Sequence, residues 1–224
     1  MTHLRSYLAG EEDVRNVLIF HAKRIADLVH TQMQPHAWEE ASSYEAEVSQ
    51  GFSEMRAEAY SAPASEVVRQ FDTPIANKVD IRKMLFGGFK KCLYPAQKFD
   101  SDTERRFAVV IEKDEHVIKW FKPGREVFRI RYTNDNDYEP DFVVETKTEK
   151  LICEPKGSDR MEDDVVLAKA RAAATWCKHA TAYELANQGK PWRYLLIPHD
   201  VIADNMTLAG LAKEYTFAAP EEEK

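Results

Sequence analysis

Tyr138–Lys156, YEPDFVVETKTEKLICEPK, is the stretch on which the reading of this chain turns. It holds two short β-like runs, Tyr138–Glu145 and Lys150–Lys156, joined by a polar turn over Thr146–Glu149, the pattern of a tight hairpin. Side chains alternate along a strand, so Glu154 and Lys156 share one face while Leu151, Cys153 and Pro155 share the other. Closing the hairpin with Asp141 opposite Glu154 adds a second carboxylate to the first face. Two acids beside one ammonium form a donor set for a divalent metal and an attacking water. A plainer reading fits the same residues, with Asp141 at a strand edge after Pro140 and with Glu154 and Lys156 as a same-face ion pair of little energetic weight. Pro155 offers no ladder N–H, so the strand must bulge or leave that position unpaired.

Outward from the hairpin, periodicity predicts a helix beginning after Asp100. Ser101 followed by Glu104 fits a capping box, in which the glutamate reaches back to the cap's backbone amide. Val117–Phe121 and Glu126–Tyr132 read as strands, with Lys122-Pro-Gly as the turn between them. Downstream, Gly157 and Ser158 end the hairpin, and Ser158 or Asp159 caps a helix running to about His179. Val165, Val166, Lys169, Ala172, Ala173 and Trp176 form its apolar stripe, with Lys169 at the edge, where a lysine is usually a snorkelling surface residue. Arg193–Pro198 suits a buried parallel strand reached through that helix. His199 and Asp200 read as turn residues, and Thr207–Tyr215 as a last short helix. The predicted order is helix, three-strand meander, helix, strand.

The N-terminal third is less informative. Glu11 to about Met33 reads as an amphipathic helix carrying Val14, Val17, Leu18, His21, Ile25, Leu28 and Val29, with His21 as a packed core residue. Residues 44–48 alternate like a strand, and 55–73 reads as a connecting or lid-like segment. Ile81–Leu85 fits a short helix ended by Gly87 and Gly88.

Taken together, FGGFKKCLYPAQKFDSDTERRFAVVIEKD from Phe86, VIKWFKPG from Val117, YEPDFVVET and ICEPKG resemble, in that order, the C-terminal PD-(D/E)xK endonuclease region of the type III restriction enzyme Res subunit and its helicase-nuclease relatives. The resemblance spans about Asn77 to Asp200. It implies an α/β fold with a restriction-endonuclease-like core, α-β-β-β-α-β, its mixed sheet flanked by helices, preceded by an N-terminal helical or β extension. It divides the chain into an extension or junction over 1–76, a nuclease domain over 77–216 and an acidic tail over 217–224. Asp141, Glu154 and the backbone carbonyl of Pro155 become metal ligands, with Glu104 facing the same cluster from the first helix. Lys156 orients water or stabilises developing charge, and Lys169 is a candidate for the scissile phosphate. Mg²⁺, or Mn²⁺ in its place, is the implied cofactor. The implied partners are double-stranded DNA, a helicase motor and a modification (methyltransferase) subunit. No GxxxxGK[ST] loop occurs, so ATP binding by this chain is not expected; the reading is of the nuclease end of a larger ATP-dependent enzyme. A catalytically inactive domain of the same fold, docking DNA or a partner, is the competing reading, and the metal site would not itself choose between duplex, single-stranded or RNA substrates.

Composition sets the outer bounds. The 224 residues, 44% hydrophobic and 31% charged, suit one well-buried globular domain with a small extension. Three cysteines, Cys92, Cys153 and Cys177, lack metal-ligand spacing and fit reduced thiols in a cytoplasmic protein. A net charge of −7 argues against coating nucleic acid by bulk electrostatics. Between Lys78 and Arg106, however, eight basic residues face four acids, so Lys90, Lys91, Lys98 and Arg105 are candidates for phosphate contacts.

Overall fold

The computed structural model describes residues 10–33, 68–133, 136–203 and 205–218. The strand expected at 44–48, most of the segment at 55–73 and the end of the acidic tail lie outside these residues. The chain forms two compact units, 1–47 and 48–224. In the first, α1 (Glu11–Met33) begins with Glu11, Glu12 and Asp13, whose charges suit a helix N-terminus. His21 is exposed rather than packed.

The second unit is a mixed α/β structure. Its centre is a four-stranded sheet. The preceding β1 (Arg69–Gln70), β2 (Phe86–Gly87) and β3 (Ala96–Gln97) make a small separate sheet. The helix α2 (Asp102–Lys113) then leads into β4 (Val117–Phe121). A two-stranded ribbon of β5 (Ile130–Arg131) and β6 (Asp137–Tyr138) follows, then β7 (Phe142–Thr146) and β8 (Lys150–Lys156). The crossover helix α3 (Asp164–Ala186), β9 (Trp192–Pro198) and α4 (Leu208–Tyr215) complete the unit.

Pairing is antiparallel for β4–β7 and β7–β8 and parallel for β8–β9, where α3 makes the crossover that parallel neighbours need. Alternation puts the two faces into two cores. Phe142, Val144, Leu151, Cys153, Leu195 and Ile197 pack with Phe107 and Ile111 of α2 and with Leu208 and Leu211 of α4. Val143, Ile152, Tyr194 and Leu196 pack with Val166, Ala170, Ala173 and Cys177 of α3. Both faces are therefore covered, as expected for strands this apolar.

Several expectations change. The Glu126–Tyr132 strand shrinks to β5 and pairs with β6, outside the central sheet. The Tyr138–Glu145 run breaks into β6 and β7 at Glu139-Pro140-Asp141, because Pro140 has no N–H for a ladder. The short helix expected at 81–85 is a 3₁₀ turn over Lys78–Lys83. The crossover helix starts later than expected, since the Asp163 side chain accepts from the amides of Val165 and Val166, and it continues to Ala186. Val165 faces solvent, while Ala170, Ala174 and Cys177 join the buried stripe. His199 and Asp200 do lie in a turn, the 3₁₀ segment His199–Val201.

Candidate active site

The β7–β8 hairpin fixes which side chains meet. At its closed end the Thr146 N–H donates to the Glu149 carbonyl at 2.8 Å, and the Thr146 Oγ1 accepts from the amide of Glu149 at 3.0 Å. From there the register runs through Val144↔Leu151 to Phe142↔Cys153. One further pair sets Asp141 opposite Glu154, as the sequence predicted. The Asp141 N–H donates to the Glu154 Oε2 at 3.3 Å. The next step sets Pro140 opposite Pro155. Pairing with β7 has ended there, while Pro155 still pairs with Ile197 of β9 and no register shift interrupts β8. The missing N–H is thus accommodated on the β7 side: of the two alternatives Pro155 left open, the position is unpaired there and the strand does not bulge.

Around this open end the acids and lysines converge. The Lys156 Nζ lies 2.7 Å from the Glu154 Oε1, confirming that the two share a face. The Tyr138 hydroxyl donates to the Glu154 Oε2 at 2.9 Å, and Tyr194 is hydrogen-bonded to Tyr138 in turn. Glu104 reaches the same place from the first turn of α2. Ser101 caps that helix by accepting from the Glu104 amide at 3.2 Å, and the Glu104 Oε2 accepts from the Asp100 amide at 3.1 Å, one residue earlier than a standard capping box. The same oxygen accepts from the Lys122 Nζ at 2.9 Å. The carboxylate therefore both closes the helix start and faces the hairpin's open end.

Lys122 is the residue that sequence reasoning missed. Its ammonium stands 2.9 Å from Glu104, 3.3 Å from Asp100 and 3.7 Å from Asp141. It follows directly on β4, so the strand's end aims it at acids from α2, from the residues just before α2 and from the residue just before β7. Its local sequence, Lys-Pro-Gly, signals a turn and nothing more. The acids it meets lie about twenty residues away in sequence, and no short-range pattern links them. Tyr138 likewise reads in the sequence only as the start of a strand, and Asp100 only as the residue ahead of a helix.

The cluster holds more negative than positive charge: Glu104, Asp141 and Glu154, with the more exposed Asp100, surround Lys122 and Lys156. Burial, followed by the charge of Glu154, pushes the Asp141 carboxyl well above the usual carboxylate range, and Lys122 only partly offsets this. Burial opposes the charge of Lys122, but Asp141 and Glu104 outweigh it and hold the ammonium firmly protonated. Lys156 behaves alike, with burial overcome by Glu154 and Asp141. Burial and the Glu154 charge push the Tyr138 hydroxyl well above its ordinary value, so it stays a proton donor to that carboxylate.

The other candidates divide. Lys169 lies over the rings of Tyr132 and Tyr138, 5.3 and 5.9 Å from their centroids, so it reaches the cluster only through Tyr138. Arg105 is buried, its guanidinium engaged by Asp102 and by the Phe71 carbonyl, and it presents no surface to a phosphate. The Lys91 ammonium donates to the Asp114 carbonyl, and the amides of Lys90 and Lys91 both donate to Glu112. Lys90 is exposed and Lys98 half-buried. The basic window is therefore largely dispersed into structural contacts rather than gathered into one patch.

Among the described residues no three acidic, histidine or cysteine side chains are gathered closely enough to hold a metal ion as they stand. The donors at the open end are nonetheless all oxygens, in excess over the lysines, and that set fits Mg²⁺ or Mn²⁺ better than a softer metal. No protein-family model matches the chain, and no curated protein matches its sequence.

Proposed function

We propose that residues 77–216 form a restriction-endonuclease-like domain that hydrolyses DNA phosphodiester bonds with Mg²⁺. The single observation that carries this reading is the adjacency of Asp141 and Glu154 across the open end of β7 and β8, with Lys156 on Glu154. The order α2-β4-β7-β8-α3-β9 supports it, as does Glu104 turning inward from α2.

Asp141 and Glu154 would hold the cation, joined by the Pro155 carbonyl, with Glu104 on the side of α2. When bound, such an ion polarises the phosphate and lowers the pKa of a coordinated water. The chain's own residues do the rest. The Tyr138 hydroxyl and the Asp141 N–H fix the rotamer of Glu154, and Lys156, held protonated, orients the water and offsets charge developing on the phosphate oxygens. A protonated Lys156 acts electrostatically rather than as a free-amine base. The dispersal of the basic window agrees with a domain that depends on other parts for DNA binding. A helicase motor and a modification subunit, on duplex DNA, are the partners proposed.

A second reading, a domain that docks DNA or a partner without cutting, is favoured by one observation: the acids of the cluster are already ion-paired with Lys122 and Lys156. A plasmid-nicking assay with Mg²⁺ or Mn²⁺, comparing wild type with Asp141→Ala and Lys156→Ala, separates the two. Metal-dependent cutting lost in both variants is the expected result. Cutting that survives both would refute the site. DNA binding without cutting, unchanged in both variants and in the presence of the proposed partners, would select docking.

A further inference from the structure

Lys122 has a place in the cluster that the proposed chemistry does not require, since Lys156 already supplies the lysine beside Glu154. Its ammonium is the hub of the acids: Glu104 at 2.9 Å and Asp100 at 3.3 Å, from the start of α2 and just before it, and Asp141 at 3.7 Å, from the hairpin's open end, meet at that one nitrogen. Only 14% of the Lys122 side chain is exposed, against 66% for Lys78, which also pairs with an acid. Burying a lysine is costly unless it is paired and hydrogen-bonded. Here the pairing is supplied by acids that would otherwise repel one another. The side chain also runs near the Phe142 ring, 6.0 Å from its centroid, at the edge of the α2-side core.

We propose that Lys122 is a tethered substitute for the divalent cation: it pairs with Glu104 and Asp141 in the metal-free protein, offsetting part of their charge, and must be displaced for the ion to enter. This rests on the nuclease reading above and adds to it a built-in competitor. Two positive groups cannot share these oxygens at close range without strong repulsion. Metal entry therefore exchanges one cation for another. The pairing also explains how the acids stay folded together without metal. A displaced Lys122 remains anchored beside the site by the end of β4 and the Pro123-Gly124 turn. The site is thus guarded against low metal concentration and preassembled for high concentration.

The test uses the full chain. Mn²⁺ binding is measured by electron paramagnetic resonance for wild type, Lys122→Met, Lys122→Gln, Lys122→Arg and Asp141→Asn. Removing the charge in Lys122→Met or Lys122→Gln is expected to tighten Mn²⁺ binding on the order of tenfold. Lys122→Arg, which keeps the charge, is expected to show no tightening. The melting temperature of the metal-free Met variant should fall, and its gain on adding Mn²⁺ should exceed that of wild type. A measurement on unsubstituted protein guards against misfolded variants. In lysine-selective NMR the buried, ion-paired ammonium of Lys122, assigned by its loss in Lys122→Arg, should give a resolved signal that Mg²⁺ shifts or removes.

Wild type that binds no Mn²⁺, or binds it equally well in Asp141→Asn, removes the metal-site reading and this inference with it. Binding that depends on Asp141 but is unchanged or weaker in both neutral variants overturns the inference alone. So does a Lys122 signal left unmoved by saturating Mg²⁺.

Discussion

The two ends of the β7–β8 hairpin are built from the same residue types and do opposite things with them. At the closed end each acid has its own base: Glu145 with Lys190 at 2.7 Å, Glu184 with Lys150, and Glu149 with Arg193 through two parallel hydrogen bonds. At the open end Glu104 and Asp141 share Lys122, Glu154 takes Lys156, and Asp100 crowds in. One-to-one pairs are self-contained, and at partly exposed positions such pairs contribute little. Shared pairs leave negative charge unspent, which is what a cation needs. Even the Glu-x-Lys pattern occurs at both ends, as Glu145-Thr-Lys147 and as Glu154-Pro-Lys156. At the closed end Glu145 pairs outside the motif with Lys190, and Lys147 is exposed. Stoichiometry in space, rather than spacing in sequence, separates the two.

The contrast can be broken most sharply by activity. Asp141→Ala and Lys156→Ala should each lower metal-dependent plasmid cleavage by at least about a hundredfold, while Glu145→Ala at the closed end leaves it unchanged. Equal losses at both ends would dissolve the distinction. A large stability effect is expected from a third kind of acid, one owned by neutral donors. Glu112 is buried on α2 and accepts from the Trp120 Nε1 at 2.7 Å and from the amides of Lys90 and Lys91. Glu112→Ala should cost about 3 kcal/mol in urea unfolding, with no selective effect on metal binding.

A smaller effect concerns pH. Because the native Asp141 carboxyl titrates above the ordinary carboxylate value, the native state holds more protons than the unfolded chain in that window. Stability contributed at this site therefore falls as pH rises from the unfolded value, 3.8, through the native one. Asp141→Asn should flatten that fall and leave the metal-free protein more stable at neutral pH than wild type, measured by urea unfolding across pH. A steeper fall in the variant would contradict the crowding. Smallest of all, Lys190→Ala should cost no more than about 1 kcal/mol, read from the same urea curves.

The hairpin was legible because both of its determinants are local. The polar turn at 146–149 sets the register, and alternation sets the faces, so Asp141, Glu154 and Lys156 could be placed together from residue order alone. Ser101 made only the capping contact of Glu104 legible; its turn toward the cluster was implied by the family resemblance and not by the local pattern. Lys122 was not legible, since its partners come from two other segments, 100–104 and the start of the hairpin, and are brought to it only by the packing of α2 against the sheet. The β5–β6 ribbon failed for a related reason. Phe128, Ile130 and Tyr132 alternate like a strand of the main sheet, but the break at Pro140 diverts the partner strand. The start of α3 was misplaced because Ser158, Asp159 and Asp163 are all competent caps. Ser158 is engaged elsewhere: its amide donates to the His199 Nδ1 and its hydroxyl to Asp200. That contact, across parallel strands, leaves no trace in local sequence.

In the proposed function the open end of the hairpin takes a divalent cation and the closed end does not. A crystal of the protein grown with Mn²⁺, examined for anomalous scattering, tests it most directly. The expected result is a peak between the carboxylates of Asp141 and Glu154, with the Lys122 ammonium moved away from Asp141. A peak at the closed end, or a fully occupied Lys122–Asp141 contact at saturating Mn²⁺ with no peak beside it, would contradict it.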